Sequence, residues 1–211
     1  MNRIRGRMKL LAVLGAGAVA VALSVGLATP LAAAAQNVGD QFGFHAVRSG
    51  IPAGAGHFNL ASPDLQNNHP FPQSEIGAAC NGGNQAPRLH WSGAPSATKS
   101  FAVTIFDPDA PTGSGFWHWV NWDIPANVTS LDGALPSGAV SGTNDGGTIG
   151  YTGPCPPAGD RTHHYELSVL ALDVPSLGLP ATTRGAGLGF SMRLHIVASG
   201  RLVATASEPA A

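Results

Sequence analysis

The sequence predicts a β-rich fold, and three observations predict it. Charged residues make up only 11% of the chain, while it holds 28 glycines and 17 prolines. That balance suits short strands joined by ordered loops better than helices or disorder. Ser100-Phe-Ala-Val-Thr-Ile-Phe106 alternates as a strand should. A long Gly/Pro-rich stretch, Ser137 to Asp160, separates two further strand-like runs, and loops of that length in a compact domain are usually functional.

The first 35 residues differ from the rest. Arg3, Arg5, Arg7 and Lys9 precede an apolar run from Leu10 to Leu27, then Thr29-Pro30 and the small residues Ala32 to Ala35. This is the layout of a cleaved secretory signal peptide; the competing reading is an uncleaved membrane anchor. No cysteine follows the apolar run, which argues against a lipid anchor. Cleavage predicts a secreted or periplasmic protein with no stable membrane span.

Residues 36–211 then form a single domain. Four of the 11 basic residues and none of the 12 acidic ones lie in the leader, so the domain carries 7 against 12, a net charge of −5. An acidic surface argues against nucleic acid and anionic membranes as partners. Cys80 and Cys155 are either paired, as an oxidising compartment permits, or two buried free thiols.

Taken in order, residues 36 to 98 read as short strands and turns, with turn chemistry at Asn59 to Pro63 and Asn81 to Asn84. In the strand at 100–106, Phe101, Val103 and Ile105 share a face, and Asp107 continues it. A carboxylate ending an apolar stripe is either paired or at a pocket mouth. A second strand spans 116–124. There the period of two groups His118 with Phe116, Val120 and Trp122, and turns Trp117 and Trp119 the other way. A third strand spans 165–172. Tyr165, Leu167 and Val169 share a face, His163 has the parity of Tyr165, and His164 the opposite parity. Leu188, Met192, His195 and Ile196 fall at helical spacing, so residues 184 to 204 are predicted as a terminal helix, weakened at its start by Gly185, Gly187 and Gly189.

The chemistry concentrates between 107 and 165. Asp107-Pro-Asp-Ala-Pro111 reads as a turn whose Asp side chains accept backbone N–H groups, or as two carboxylates facing a site. His118 reads as a core histidine bonded to a carbonyl, or as a ligand donor. His163 and Tyr165 set an imidazole beside a phenol, a pair able to donate to phosphate or carboxylate oxygens. Gly153 and its neighbours could add backbone N–H groups. No His-Glu-x-x-His, CxxC, Gly-x-Ser-x-Gly or Gly-Lys-Ser/Thr motif occurs, which disfavours a metal site, a nucleophile elbow and a phosphate loop. His45, His57, His69 and His90 have no partners at telling spacing, and the sequon Asn127-Val-Thr129 has meaning only in a eukaryotic source.

In their order, Cys80-Asn-Gly, Pro87-Arg-Leu-His-Trp91, Asp107-Pro-Asp-Ala-Pro111, His118-Trp119, Gly150-Tyr-Thr-Gly-Pro-Cys-Pro-Pro157, His163-His-Tyr165 and Ala171-Leu-Asp173 cover most of residues 55 to 200. This pattern resembles the phosphatidylethanolamine-binding protein family, in particular its bacterial Raf-kinase-inhibitor-like branch. The resemblance implies a mainly β fold: antiparallel sheets packed together, with a few peripheral helices. It also implies a small anion pocket for phosphate-like or carboxylate groups, including a phospholipid head group. Asp107, His118, His163 and Tyr165 fall on its pocket positions, and Asp109 with the Gly153 to Pro157 loop on its rim. No cofactor and no metal is implied. His164 stands where the family usually has arginine, and the tail from Gly200 to Ala211 lacks a tyrosine often found there.

Three functions follow as expectations. The first is a non-catalytic binding protein with an anion pocket. The second is an interaction module inhibiting a protease or kinase, with a protein partner or a homodimer. The third, least favoured, is a hydrolase using the Asp/His cluster; the chain shows no activated nucleophile.

Overall fold

The computed structural model describes residues 50–210; the predicted signal segment and His45 lie outside the described residues. Ten strands and one helix follow in order: β1 (Gly56–His57), β2 (Asn59–Ala61), β3 (His69–Pro70), β4 (Leu89–Ser92), β5 (Ser100–Asp107), β6 (Phe116–Pro125), β7 (Ser130–Leu131), β8 (Val140–Ser141), β9 (His163–Leu172), α1 (Gly185–Met192) and β10 (Ile196–Ala206). The fold is mainly β, as expected.

Strands β5, β6, β9 and β10 form the body of a seven-stranded sheet ordered β1-β10-β9-β5-β6-β8, with β3 also pairing β10. Its long neighbours are antiparallel, whereas β1 and β3 run parallel to β10. A second sheet, ordered β2-β4-β7, packs on one face. Between the sheets lie Leu89 and Trp91 of β4, Phe101, Val103 and Ile105 of β5, and Tyr165, Leu167 and Val169 of β9. The opposite face packs Ala102, Val120, Trp122, Leu170 and Leu172 against Leu188 and Met192 of α1. The large sheet is thus covered on both sides, which is why β5 and β9 are buried almost throughout.

The face assignment predicted for β5 and β9 holds, but β6 departs from strict alternation. Ile105 pairs with Trp119 and Phe106 with Trp117, so His118 is an extra residue at a β-bulge. Trp119 joins the core between the sheets, while Trp117, Val120 and Trp122 face α1. Farther along, Phe101 pairs with Ile124 and Val103 with Asn121, so three steps on β6 oppose two on β5. Asp123, inside that stretch, takes a left-handed φ of 55°. Its carboxylate accepts from the Ser176 hydroxyl at 2.6 Å and the Leu177 N–H at 2.8 Å, which ties this strand to the loop after β9.

The helix predicted over 184–204 is two elements. Residues 185–192 are helical, and 196–206 form the longest strand, β10. Leu188 and Met192 do lie on the buried side of α1. Beyond them, however, Ala198, Leu202, Ala204 and Ala206 all turn into the core between the sheets at a spacing of even steps, the period of a strand. Pairing along the whole of β9 overrides the weak helical spacing. Gly185 is required where α1 begins, because a Cβ there would sit 2.1 Å from the Trp117 ring.

Cys80 and Cys155 are disulfide-bonded with Cα atoms 5.5 Å apart, joining the turn after a short 3-10 segment (Ala78–Cys80) to the Gly/Pro-rich loop. The bridge closes 75 residues. Replacing both cysteines by serine is expected to cost about 4 kcal/mol from loop closure. Denaturant unfolding of the two proteins checks this, and equal midpoints would refute it.

Candidate functional site

Asp107 ends β5, and its two carboxylate oxygens do different things. Oδ1 accepts the N–H groups of Asp109 (2.8 Å) and Ala110 (3.1 Å), which makes the turn. Oδ2 lies 2.7 Å from Nδ1 of His163, the first residue of β9. The turn foreseen for this motif is present, and the same side chain also holds an imidazole. Asp107 is 2% exposed and His163 1%.

The other ring nitrogen of His163, Nε2, lies 3.2 Å from Oδ2 of Asp160. Burial lowers the pKa of His163, but its bonds to Asp107 and Asp160 and their charges outweigh burial and raise it. The imidazolium form, which donates from both nitrogens, is favoured.

Tyr165 is 1% exposed, and its ring lies edge-on to His118 at 5.1 Å and nearly parallel to His163 at 6.4 Å between centroids. Burial, then the neighbouring Asp107 charge, pushes its phenol pKa upward, so the hydroxyl keeps its proton and can donate.

The β-bulge brings His118 to this group. Its Nδ1 lies 2.7 Å from the Thr152 carbonyl, which can only accept, so Nδ1 carries a proton. The Phe116 ring lies tilted beside it at 4.7 Å. His118 is 6% exposed, and burial lowers its pKa against the opposing pull of the Thr152 bond and the Asp107 charge. In the neutral ring, Nε2 holds a lone pair. It makes no hydrogen bond to another of the described residues. His118 thus offers an acceptor, and it becomes the donor expected from sequence only after taking up a proton.

The expected rim residues are placed differently. Asp109 Oδ2 accepts from the His164 N–H (2.9 Å) and from His164 Nδ1 (2.8 Å), and its Oδ1 pairs with Arg161 at 3.0 Å. Asp109 therefore fixes the segment on either side of His163. Gly153 donates its N–H to Asn84 Oδ1 at 2.8 Å, so that group is already engaged. A Cβ at Gly153 would meet the Glu75 carbonyl at 2.3 Å and Gly77 N at 2.5 Å, so only glycine fits. Pro157 is exposed, and its carbonyl accepts the Asp160 N–H at 3.0 Å.

Sequence reasoning missed four contributors. Thr152 acts through its carbonyl, which no side-chain motif reveals. Asn144 is fully buried and donates Nδ2 toward Thr148 Oγ1, the Gly150 carbonyl and Thr152 Oγ1, shaping the loop that carries Thr152. Asp160 lies three residues before His163, a spacing that could have signalled it. Glu75 packs behind the rim, where its carbonyl accepts the Tyr151 hydroxyl at 2.7 Å.

Among the described residues no cluster of His, Cys, Asp or Glu could hold a metal ion, and no helix is long and apolar enough to cross a membrane. Two cavities lie away from this cluster. One, of about 300 Å³, lies beside α1 and includes Trp117 and Met192. The other, of about 490 Å³, is lined by Asp64, Glu75, Arg88 and Asp132.

The family model for phosphatidylethanolamine-binding protein matches residues 61–207, which include every residue of the cluster. The chain belongs to that family. It is 43% identical to YbcL of Escherichia coli K12 over 160 residues, covering 71% of this chain and 87% of YbcL. The crystal structure of E. coli YbcL, described as a new member of the mammalian PEBP family, superposes with a TM-score of 0.69 at 41% identity, covering 72% of this chain and 98% of that one. A protein named as a lipoprotein, LppC of Mycobacterium tuberculosis H37Rv, is 37% identical over 147 residues, covering 69% of this chain and 70% of LppC.

Glu75 is 2% exposed, with Oε2 buried and unpaired. Burial, with the Asp64 charge adding to it, raises its carboxyl pKa to about 7. Its folded-state pKa lies above the unfolded one, so stability falls as pH rises between about 4.3 and 7. Glu75→Gln should be more stable than wild type by up to about 3 kcal/mol at pH 8 and equal to it at pH 4. Denaturant titrations at the two pH values check this; a less stable variant at pH 8 would refute it.

Proposed function

We propose that this chain is an exported, non-catalytic binding protein whose cluster of Asp107, His118, His163 and Tyr165 takes a small anionic group of the phosphate or carboxylate kind. The observation that carries the reading is the convergence of three groups: His163 held between two carboxylates, the buried Tyr165 phenol, and the His118 ring, whose Nδ1 is bonded to Thr152 and whose Nε2 bonds no other described residue. Export rests on the signal-like leader and on likeness to a protein named as a lipoprotein.

A binding role suits the protonation states. Both nitrogens of His163 face carboxylates, an arrangement that stores charge instead of relaying a proton to a nucleophile. Asp107 orients His163, Asp109 holds the flanking backbone, and Tyr165 donates to a ligand oxygen. His118 Nε2 accepts from a ligand O–H or takes up a proton and donates. Either route makes binding proton-linked, so a monoanionic phosphate is held better than the dianion.

Calorimetry with inorganic phosphate, phosphoethanolamine and acetate tests the reading. Binding of the two phosphates should tighten from pH 8 to pH 6, with net proton uptake seen as a dependence of the heat on buffer ionisation. His118→Ala should weaken it by about tenfold or more. No binding to any of the three, or a His118→Ala protein indistinguishable from wild type, would overturn it.

A further inference from the structure

Asp160 occupies the donor that an anionic ligand would use. His163 Nε2 points at Asp160 Oδ2, while Nδ1 is committed to Asp107. A ligand oxygen can reach His163 only where the Asp160 carboxylate now sits. His163 is 1% exposed, whereas Asp160 lies on an exposed turn with about a third of its side chain accessible.

The turn is built to seat that carboxylate. The Asp160 N–H bonds to the Pro157 carbonyl at 3.0 Å, and Gly159 takes a φ of 77° with its N–H on the Glu208 carbonyl at 2.9 Å. The Arg161 N–H donates to Asp160 Oδ1 at 2.8 Å, leaving Oδ2 for His163. On the far side, Asp109 grips Arg161 and His164. The seat is held at both ends, but the acid itself lies at the surface, so displacing it breaks only its bonds to His163 and the Arg161 N–H.

Charge makes the displacement necessary. Asp107 and Asp160 flank a single imidazolium, and His118 is neutral, so the occupied cluster carries a net negative charge. An added anion would meet two carboxylates unless one leaves.

We propose that Asp160 is a built-in carboxylate occupant of the site and sets its affinity threshold: phosphoryl groups displace it, and simple carboxylates do not. This rests on the anion-binding reading above. A free carboxylate offers His163 the same bond that Asp160 already makes, and a tethered group competes at an effective concentration in roughly the millimolar range. A phosphoryl group brings three acceptor oxygens and more charge. It can engage His163, Tyr165 and His118 together, and so displaces Asp160 where acetate does not.

The test compares wild type, Asp160→Ala, Asp160→Asn and the surface control Asp132→Asn by calorimetry at about pH 6.5, with acetate, inorganic phosphate and phosphoethanolamine as probes. Removing a competitor that fills the site most of the time should tighten phosphate binding about tenfold in both Asp160 variants. Acetate should gain by a similar factor, which brings its binding into the measurable range. Asp132→Asn should change neither by more than about twofold, since a screened surface charge acts weakly. Phosphoethanolamine binding as well as inorganic phosphate would assign recognition to the phosphoryl group; binding of phosphoethanolamine alone would count against the proposal. If wild type binds phosphate through His118 but the Asp160 variants match it, the inference is overturned and the anion-binding reading stands. Binding by none of the proteins overturns both. Melting curves verify that the variants fold, and Asp160→Asn, which keeps the side chain's shape, guards against a collapsed turn.

Discussion

The site depends on how Asp107 divides its carboxylate. One oxygen closes the turn that follows β5, and the other holds the imidazole that opens β9. A buried carboxylate is costly unless it is bonded on every side. Here two backbone N–H groups and an imidazolium satisfy it, and the same bonds join two strand ends that are distant in sequence. Asp107 places His163, His163 bonds the turn bearing Asp160, and burial together with the charge of Asp107 keeps the Tyr165 proton in place.

The scaffold around this bond is rigid on three sides. Core side chains pack the face of the large sheet that carries Tyr165, with Phe71 edge-on to its ring at 5.3 Å. The β-bulge turns His118 toward Tyr165 and leaves Trp117 on the other face, against α1. The disulfide, the Gly77 N–H to the Pro154 carbonyl (2.8 Å) and the Gly153 N–H to Asn84 fasten the rim loop to residues 77–84. The fourth side, the turn at Asp160, is exposed. Local opening is easiest where few buried contacts must break, which favours that turn over the other three sides.

Much of this was legible in the chain before folding. The alternation of Phe101, Val103 and Ile105 correctly put Asp107 at the end of a buried stripe, and parity correctly separated buried His163 from exposed His164. Alternation failed on β6 because a bulge inserts a residue without any sign in the side chains; His118 and Trp119 lie one step apart yet both serve the same face. It failed at the C-terminus because Leu188 and Met192 genuinely belong to a helix, and the spacing ran on by chance into a strand whose partner, β9, is local in space only. The Thr152 carbonyl was invisible because backbone acceptors carry no sequence signature. Asp160 was hidden among turn residues until its partner's second nitrogen was located.

The account stands on the protonation states of two imidazoles, which nitrogen-resolved NMR of the histidine rings reads directly. At neutral pH it predicts His163 protonated on both nitrogens and His118 neutral with its proton on Nδ1. Saturating phosphate should shift the His118 Nε2 resonance, as it accepts from a ligand O–H or takes up its proton, and shift the His163 Nε2 resonance as its partner changes from Asp160 to a ligand oxygen. A neutral His163, or two rings that ignore phosphate at every concentration tried, would contradict it.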